Sequence, residues 1–301
     1  MIKTFHPAEL NNKAVHSHLL GAVGPRPIAL ASTISIDGDI NLSPFSFFNI
    51  FSSNPPIVVF SPSRRVRDNS TKHTLHNVMA TKEVVINIVN YSMVQQTSLS
   101  STEYPEGVNE FVKSGFTPEP SEMVTPPRVK ESPVQLECKV NDIIHLGENG
   151  GAGNLVICEV LCYHINENVL NEEGIIDQTK IDTVARMGGD WYARANGDAL
   201  FEVTKPIVTK GIGVDQIPKR IRQSVYFDGN DLGKLGNVER LPSDDEIMAL
   251  SSHHRVKEIL ENAADGMEVH EGLHQYAKEL LDKNKVAKAW TVLLCDKLNR
   301  N

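Results

Sequence analysis

Two neighbouring stretches hold most of the side chains with chemistry to offer. In "NLSPFSFFNI" (41–50), Ser43, Ser46 and Asn49 are interleaved with Phe45, Phe47 and Phe48, and Pro44 stiffens the run. Short hydroxyl and amide groups with backbone N–H donors suit the polar edges of a flat heteroaromatic ring, and apolar groups suit its faces. Phenylalanines that only fill core beneath a loop would show the same composition, and the residues alone leave both readings open. Further on, "SPSRRVRDNSTKHTLHN" (61–77) places Ser61, Ser63, Arg64, Lys72 and Thr74 around an expected helix N-terminus. Hydroxyls, cations and unpaired helix N–H groups are what a phosphate monoester prefers. Joined, the two stretches describe a ligand with a planar heterocycle at one end and a phosphate at the other.

No Ser-His-Asp set, carboxylate pair or metal-ligand spacing stands beside them. The four cysteines, Cys138, Cys158, Cys162 and Cys295, form no CxxC and read as buried apolar thiols. Cys158 and Cys162 are expected on the same face of one strand. The run "GENGGAGN" (147–154) lacks both GxGxxG and a GK[ST] ending and reads as a hairpin loop. Acidic balance, a formal net charge of −8, argues against nucleic acid, because phosphate backbones are held by clustered Lys and Arg. The one dense basic cluster, "SRRVR" (63–67), suits a single small phosphate better than a duplex. Neither a secretory core nor an apolar run long enough to span a bilayer occurs, so no membrane association is expected and cytoplasmic residence is the expectation.

Strands must position these residues. "PIALASTISI" (27–36) alternates and ends at Asp37-Gly38, a pair favoured in hairpin turns. "PIVVFS" (56–61) reads as a buried strand, which leaves a loop of about twenty residues between them, the kind of length that often carries function. Ser70 is an expected N-cap for a helix over 71–80, ahead of a strand at 83–90. Short helices are expected at 91–102 and 108–114, and an extended surface loop at 116–132. Val134, Leu136, Cys138 and Val140 alternate with Gln135, Glu137 and Lys139, as on a sheet with one face in water. Leu155–Ile165 returns as its partner. Regular βαβ alternation is missing, so the expected fold is mainly β within α+β: a closed or partly closed antiparallel barrel over 1–206. Residues 207–301 read as a mostly helical extension, with Ser243 and Glu246 as a capping box and further helices near 269–282 and 285–298.

"GPRPIALASTISIDGDINLSPFSFFN", "SSNPPIVVFSPS", "KHTLHN" and "VARMGGDWY", in that order, resemble the flavin reductase-like family of FMN-binding split-barrel proteins, over about residues 15–205. The resemblance implies a split β-barrel that forms a homodimer, with FMN near the subunit interface and NADH or NADPH as hydride donor. It places ring and ribityl contacts on Ser46, Phe47, Phe48 and Asn49, and phosphate contacts on Ser61, Arg64, Lys72 and Thr74. His73 stands where the family often has Asp, and reads as a loop residue. "RMGGDWYAR" matches a segment that tends to lie near the flavin, with Arg186, Gly188, Gly189 and Tyr192 as substrate-side candidates and Trp191 as a possible cover. The same segment also suits a tight turn with two core aromatics. Arg26, between two prolines, is aimed either at a ligand or acidic partner or at a surface ion pair. His164 reads as a satisfied structural histidine.

The expected function is an FMN-dependent NAD(P)H:flavin oxidoreductase, passing electrons to free flavin or to a monooxygenase or other acceptor protein. Hydride transfer of this kind asks little of protein acids and bases, which accords with the missing catalytic set. Two alternatives stay open: a non-catalytic FMN-binding electron-transfer protein, its helical tail docking a partner, and a pyridoxamine phosphate oxidase-like enzyme. The latter ranks lower because no second cationic cluster is present for a substrate phosphate.

Overall fold

The computed structural model describes residues 1–206 and 210–296. The chain divides into two compact units, Met1–Phe201 and Glu202–Asn301. In the first, strands β1 (Ala29–Ile34), β2 (Ile40–Phe45), β3 (Phe48–Ser53), β4 (Pro56–Phe60), β5 (Glu83–Ile88), β6 (Val134–His145) and β7 (Asn154–Ile165) form one sheet. Its order is β2-β1-β5-β6-β7-β4-β3, with every neighbouring pair antiparallel. Thus β2 and β3 lie at opposite edges, yet only Ser46 and Phe47 separate them in the chain. In a flat sheet those edges would stand about 29 Å apart, whereas a two-residue link reaches about 10 Å. The sheet therefore curls until its edges nearly meet, and Ser46–Phe47 bridges the gap. Inside it pack Ala29, Ala31, Phe45, Phe60, Ile86, Leu136, Val156 and Cys158.

The long loop expected between residues 36 and 56 is not a loop. It is β2 and β3: β2 was hidden from sequence inspection because buried Asn41 donates to Thr33 Oγ1 and Thr74 Oγ1, and β3 because most of it is exposed and shows no apolar alternation. The solvated second face expected for β6 holds at Lys139, which is exposed, and is corrected at the other two residues. Gln135 and Glu137 are buried, since segment 116–132 lies over them; backbone N–H groups of Glu122 and Met123 donate to Glu137. Cys158 and Cys162 do not share a face either. Register passes from Cys138↔Val160 to Glu137↔Cys162, so Leu161 is an extra residue, a bulge that reverses the parity. Cys158 stays in the core, while Cys162 Sγ sits 3.6 Å from His164 Nε2.

Helix α1 (Asn12–Ala22), capped by Asn11, was not evident in the sequence. Helix α2 (His73–Thr81) starts after Lys72 with no side-chain cap; the expected cap, Ser70, donates its hydroxyl to Asp68 instead. Short helices α3 (Val94–Leu99) and α4 (Glu110–Ser114) follow, and β8 (Val184–Arg186) pairs with β9 (Tyr192–Arg194) in a small ribbon.

In the second unit, α5 (Lys219–Arg222), α6 (Gly229–Gly236), α7 (Asp244–Ser251), α8 (His254–Asn262), α9 (Gly266–Asp282) and α10 (Val286–Leu294) enclose Leu273, Ala277, Leu281, Ala289, Trp290 and Leu293. The Ser243–Glu246 capping box forms at α7. Residues 297 and 298 of the expected last helix lie outside the described residues. No helix among the described residues is long and apolar enough to cross a membrane.

Candidate functional site

The segment from Ser61 to Lys72 carries the chain from β4 to α2 and is pinned along its length. Arg64 N donates to Ala152 O at 2.8 Å, and Gly151 N to Arg64 O at 3.0 Å. Asn69, in the left-handed region at φ 58°, accepts from Arg64 Nε and Nη2, each at 2.8 Å. Gly150 is needed here, because a Cβ would stand 3.0 Å from Arg65 O and Val66 Cα. The glycine run is a hairpin loop that packs against the basic segment.

A cavity of about 300 Å³ opens beside it, lined by His16, Arg64, Arg65, Arg67, Lys72 and Glu103 among others. A second, polar hollow of about 20 Å³ lies among Asn41, Ser43, Lys72, Thr74 and Glu103, room for little more than a water. Lys72 lines both. Its ammonium makes no hydrogen bond or ion pair with any described residue, although it is half-buried. Burial, then the charge of Arg65, lowers its pKa, with Glu103 opposing. Beside it, the first N–H groups of α2 have no side-chain cap. A half-buried unpaired cation at an uncapped helix N-terminus suits a small dianion.

The expected phosphate residues divide in this setting. Arg64 and Lys72 line the larger cavity. Thr74 is buried and reaches the smaller one, its hydroxyl accepting from Asn41 at 2.9 Å. Ser61 is buried, and its hydroxyl accepts from Asn154 N at 3.0 Å, tying β4 to β7. His73 opens α2 and lines the smaller hollow.

The phenylalanines also divide. Phe45 packs on Phe60 in the core, with ring centres 5.4 Å apart, and Phe48 packs against the same cluster. Phe47 is exposed and meets the edge of His16 on α1 at 6.4 Å. Neither Ser46 nor Phe47 donates its backbone N–H to another described residue, whereas Phe47 O accepts from Ser61 N at 2.8 Å. Asn49 Oδ1 accepts from Ile50 N. The ring-type and phosphate-type stretches thus meet at the split, joined through Phe47 and His16.

A second group of expected residues gathers at the end of α1. Arg26 is buried, and its guanidinium donates to Leu20 O and Met187 O, each at 2.8 Å, and to Val23 O. Its backbone pairs with Arg186. Arg186 stacks on Tyr192 at 4.6 Å and donates to Gly189 O. Gly188 lets this turn approach α1: a Cβ there would lie 3.3 Å from Gly21 Cα. Trp191 is 78% exposed, so it is not a core aromatic. Tyr192 lines a separate hollow of about 200 Å³ with Tyr91 and Arg194. Arg26 and Gly188 meet α1, the helix that carries His16. Replacing Arg26 by alanine orphans three carbonyls and is expected to destabilise the protein by about 2–3 kcal/mol, read from the urea midpoint; an unchanged midpoint would show the clamp to be idle.

Sequence reasoning missed His16, Arg65, Arg67 and Glu103. The basic run was visible, but Glu103 comes from beyond α3 and His16 from a helix with no buried residue.

A profile of the flavin reductase like domain family matches residues 22–184. An uncharacterized protein of Aquifex aeolicus is 36% identical over 195 residues, 65% of this chain and 97% of that relative. Among solved structures, nitrilotriacetate monooxygenase component B from Bacillus cereus is 28% identical, with a TM-score of 0.62 over 68% of this chain and 98% of its own. A Shewanella frigidimarina NCIMB 400 protein with a split barrel domain is 30% identical, with a TM-score of 0.56 over 66% of this chain and 95% of its own. The family match ends before the helical second unit begins. The chain belongs to the flavin reductase like family, and its curled but unclosed sheet is a split barrel.

Proposed function

We propose that this protein binds FMN and reduces it with NADH or NADPH. The observation that carries the reading is Lys72, an unpaired and half-buried cation beside the uncapped start of α2, in a cavity also lined by His16, which meets the exposed ring of Phe47. Lys72, Arg64, the Thr74 hydroxyl and the α2 N–H groups would hold the phosphate. Ser46 and Phe47 N–H groups would bond to polar ring edges, and Phe47 would cover apolar surface. When bound, FMN supplies the hydride-accepting centre. The chain's own task is then to orient the ring and exclude water, and N–H donors near the ring's polar edge would stabilise negative charge on it. No side-chain acid or base is required.

Phe47 is exposed, and the adjoining edge strand exposes apolar residues as well: Ile50 is 66% and Phe51 69% exposed on β3. A second copy of the chain covering this surface accounts for both, so the reading includes a homodimer. Likeness to a monooxygenase component B supports a partner oxygenase as electron acceptor. Dependence on NADH or NADPH fits a cytoplasmic protein.

The protein as purified, mixed anaerobically with FMN and either nicotinamide, is expected to bleach the flavin's visible absorbance and to sediment at the mass of two chains. Flavin that stays oxidised with both donors would remove the reductase reading, and sedimentation at one chain's mass would remove the dimer.

A further inference from the structure

We propose that Glu103 is a built-in competitor for the anion at this site and sets how tightly the cavity holds a phosphate. The inference rests on the phosphate reading above and adds a residue that opposes it. Glu103 Oε1 accepts from Arg65 Nε at 2.9 Å, and Oε2 from Arg67 Nη2 at 3.2 Å. Among the described residues it is the one acidic side chain lining the larger cavity, and it lines the smaller hollow as well. The bond from Arg65 and the charges of Arg65, Arg67 and Lys72 hold its carboxyl below the usual range, so it is an anion at neutral pH.

Four cations facing one cavity, Arg64, Arg65, Arg67 and Lys72, repel one another, and Glu103 relieves that repulsion while no ligand is present. Arg65 cannot follow a ligand away, because Nη1 also donates to Ser70 Oγ at 3.0 Å and Thr71 O at 2.6 Å. Glu103 has more freedom: its side chain is 43% exposed. An entering dianion therefore meets cations that are already compensated and a like charge at the same mouth. Either the carboxylate swings into water or it stays and repels; both lower the affinity for phosphate. A flavin lacking phosphate makes no contact with this cluster and is indifferent to it. Glu103 thus favours a flavin that exchanges over one held permanently.

Titration of the full chain with FMN and with riboflavin, followed by flavin fluorescence, tests this in wild type and Glu103→Gln. Glutamine keeps a carbonyl for Arg65 and removes the charge, together with the acceptor for the exposed Arg67. The variant is expected to bind FMN about tenfold tighter, with riboflavin changed less than about twofold. Wild type that binds FMN, beside a variant that binds it no better or worse, would overturn the proposal and make Glu103 a mere support for Arg65. Should wild type bind no FMN, the flavin reading fails, and titration with inorganic phosphate alone still decides Glu103. Tighter phosphate in Glu103→Gln supports it, and equal or weaker phosphate overturns it.

Discussion

Replacing Lys72 by methionine is expected to weaken FMN binding by about a hundredfold, leave riboflavin binding unchanged and raise the melting temperature by about 2–4 °C. The first effect follows from the loss of a charge-assisted contact to phosphate, about 2.7 kcal/mol for that ratio. The last follows from the unliganded structure. The Lys72 ammonium is half-buried, has no partner, and faces Arg65, so charging it costs more in the folded protein than in the unfolded chain. A lysine whose pKa is lowered by folding destabilises whenever it is protonated in the folded state, and the penalty fades as pH rises through the folded value. Methionine keeps the stem and removes the penalty at every pH. Binding and stability therefore move in opposite directions, the pattern of a residue kept for a ligand at the expense of the fold. Titrations with both flavins and a thermal melt check it. Equal losses for FMN and riboflavin, or a lowered melting temperature, would return Lys72 to an ordinary packing role.

The strands were legible where alternation meets one buried face. Val134, Leu136, Cys138 and Val140 point into the barrel as their spacing requires. Alternation could not show that the other face is covered too. Gln135 and Glu137 look solvated because they are polar, but their groups are satisfied by segment 116–132, and a satisfied polar group is buried at little cost. Edge strand β2 was illegible for a related reason: Asn41 and Ser43 break the apolar pattern, and the Asn41 partners Thr33 and Thr74 lie outside the strand. The bulge at Leu161 left no mark at all, and it alone separates Cys158 from Cys162.

At the site, residue type was informative and position was not. That one phenylalanine of three would stay exposed follows from the link between sheet edges: residue 47 lies in the gap, whereas residues 45 and 48 are already strand. Lys72 and Arg64 were visible as cations. Their surroundings were not, because Glu103 and His16 reach the cavity through tertiary folding alone. Arg26 shows the converse. Its flanking prolines drew attention to the segment, but its two terminal nitrogens are taken by the carbonyls of Leu20, Val23 and Met187.

Glu137→Leu is expected to destabilise the protein by about 3–5 kcal/mol, with FMN affinity retained at temperatures where the variant is folded. The Glu137 side chain is fully enclosed. It accepts from Glu122 N at 2.9 Å, Met123 N at 2.6 Å and His164 Nε2 at 2.7 Å. Removing the carboxylate orphans two backbone donors and a histidine together, and no water replaces it without a cavity. Burial alone would push its pKa up, but the N–H groups of Glu122 and Met123 and the ring of His164 outweigh burial, and the net shift is downward. A carboxyl lowered by folding contributes stability that is present above its unfolded pKa and lost as pH falls through the folded value. Glu137→Gln should therefore be weaker than wild type at neutral pH and should converge on it as pH falls through the lowered folded value of the carboxyl, where wild type loses the same charge. Urea unfolding across that range reads the difference. A gap that stays constant with pH would show that the carboxylate's charge plays no part, and that only the shape of the side chain holds segment 116–132 against the barrel. None of these partners lines the cavity beside Lys72, so the two substitutions should leave opposite records: Lys72→Met loses ligand and gains stability, and Glu137→Leu loses stability and keeps the ligand.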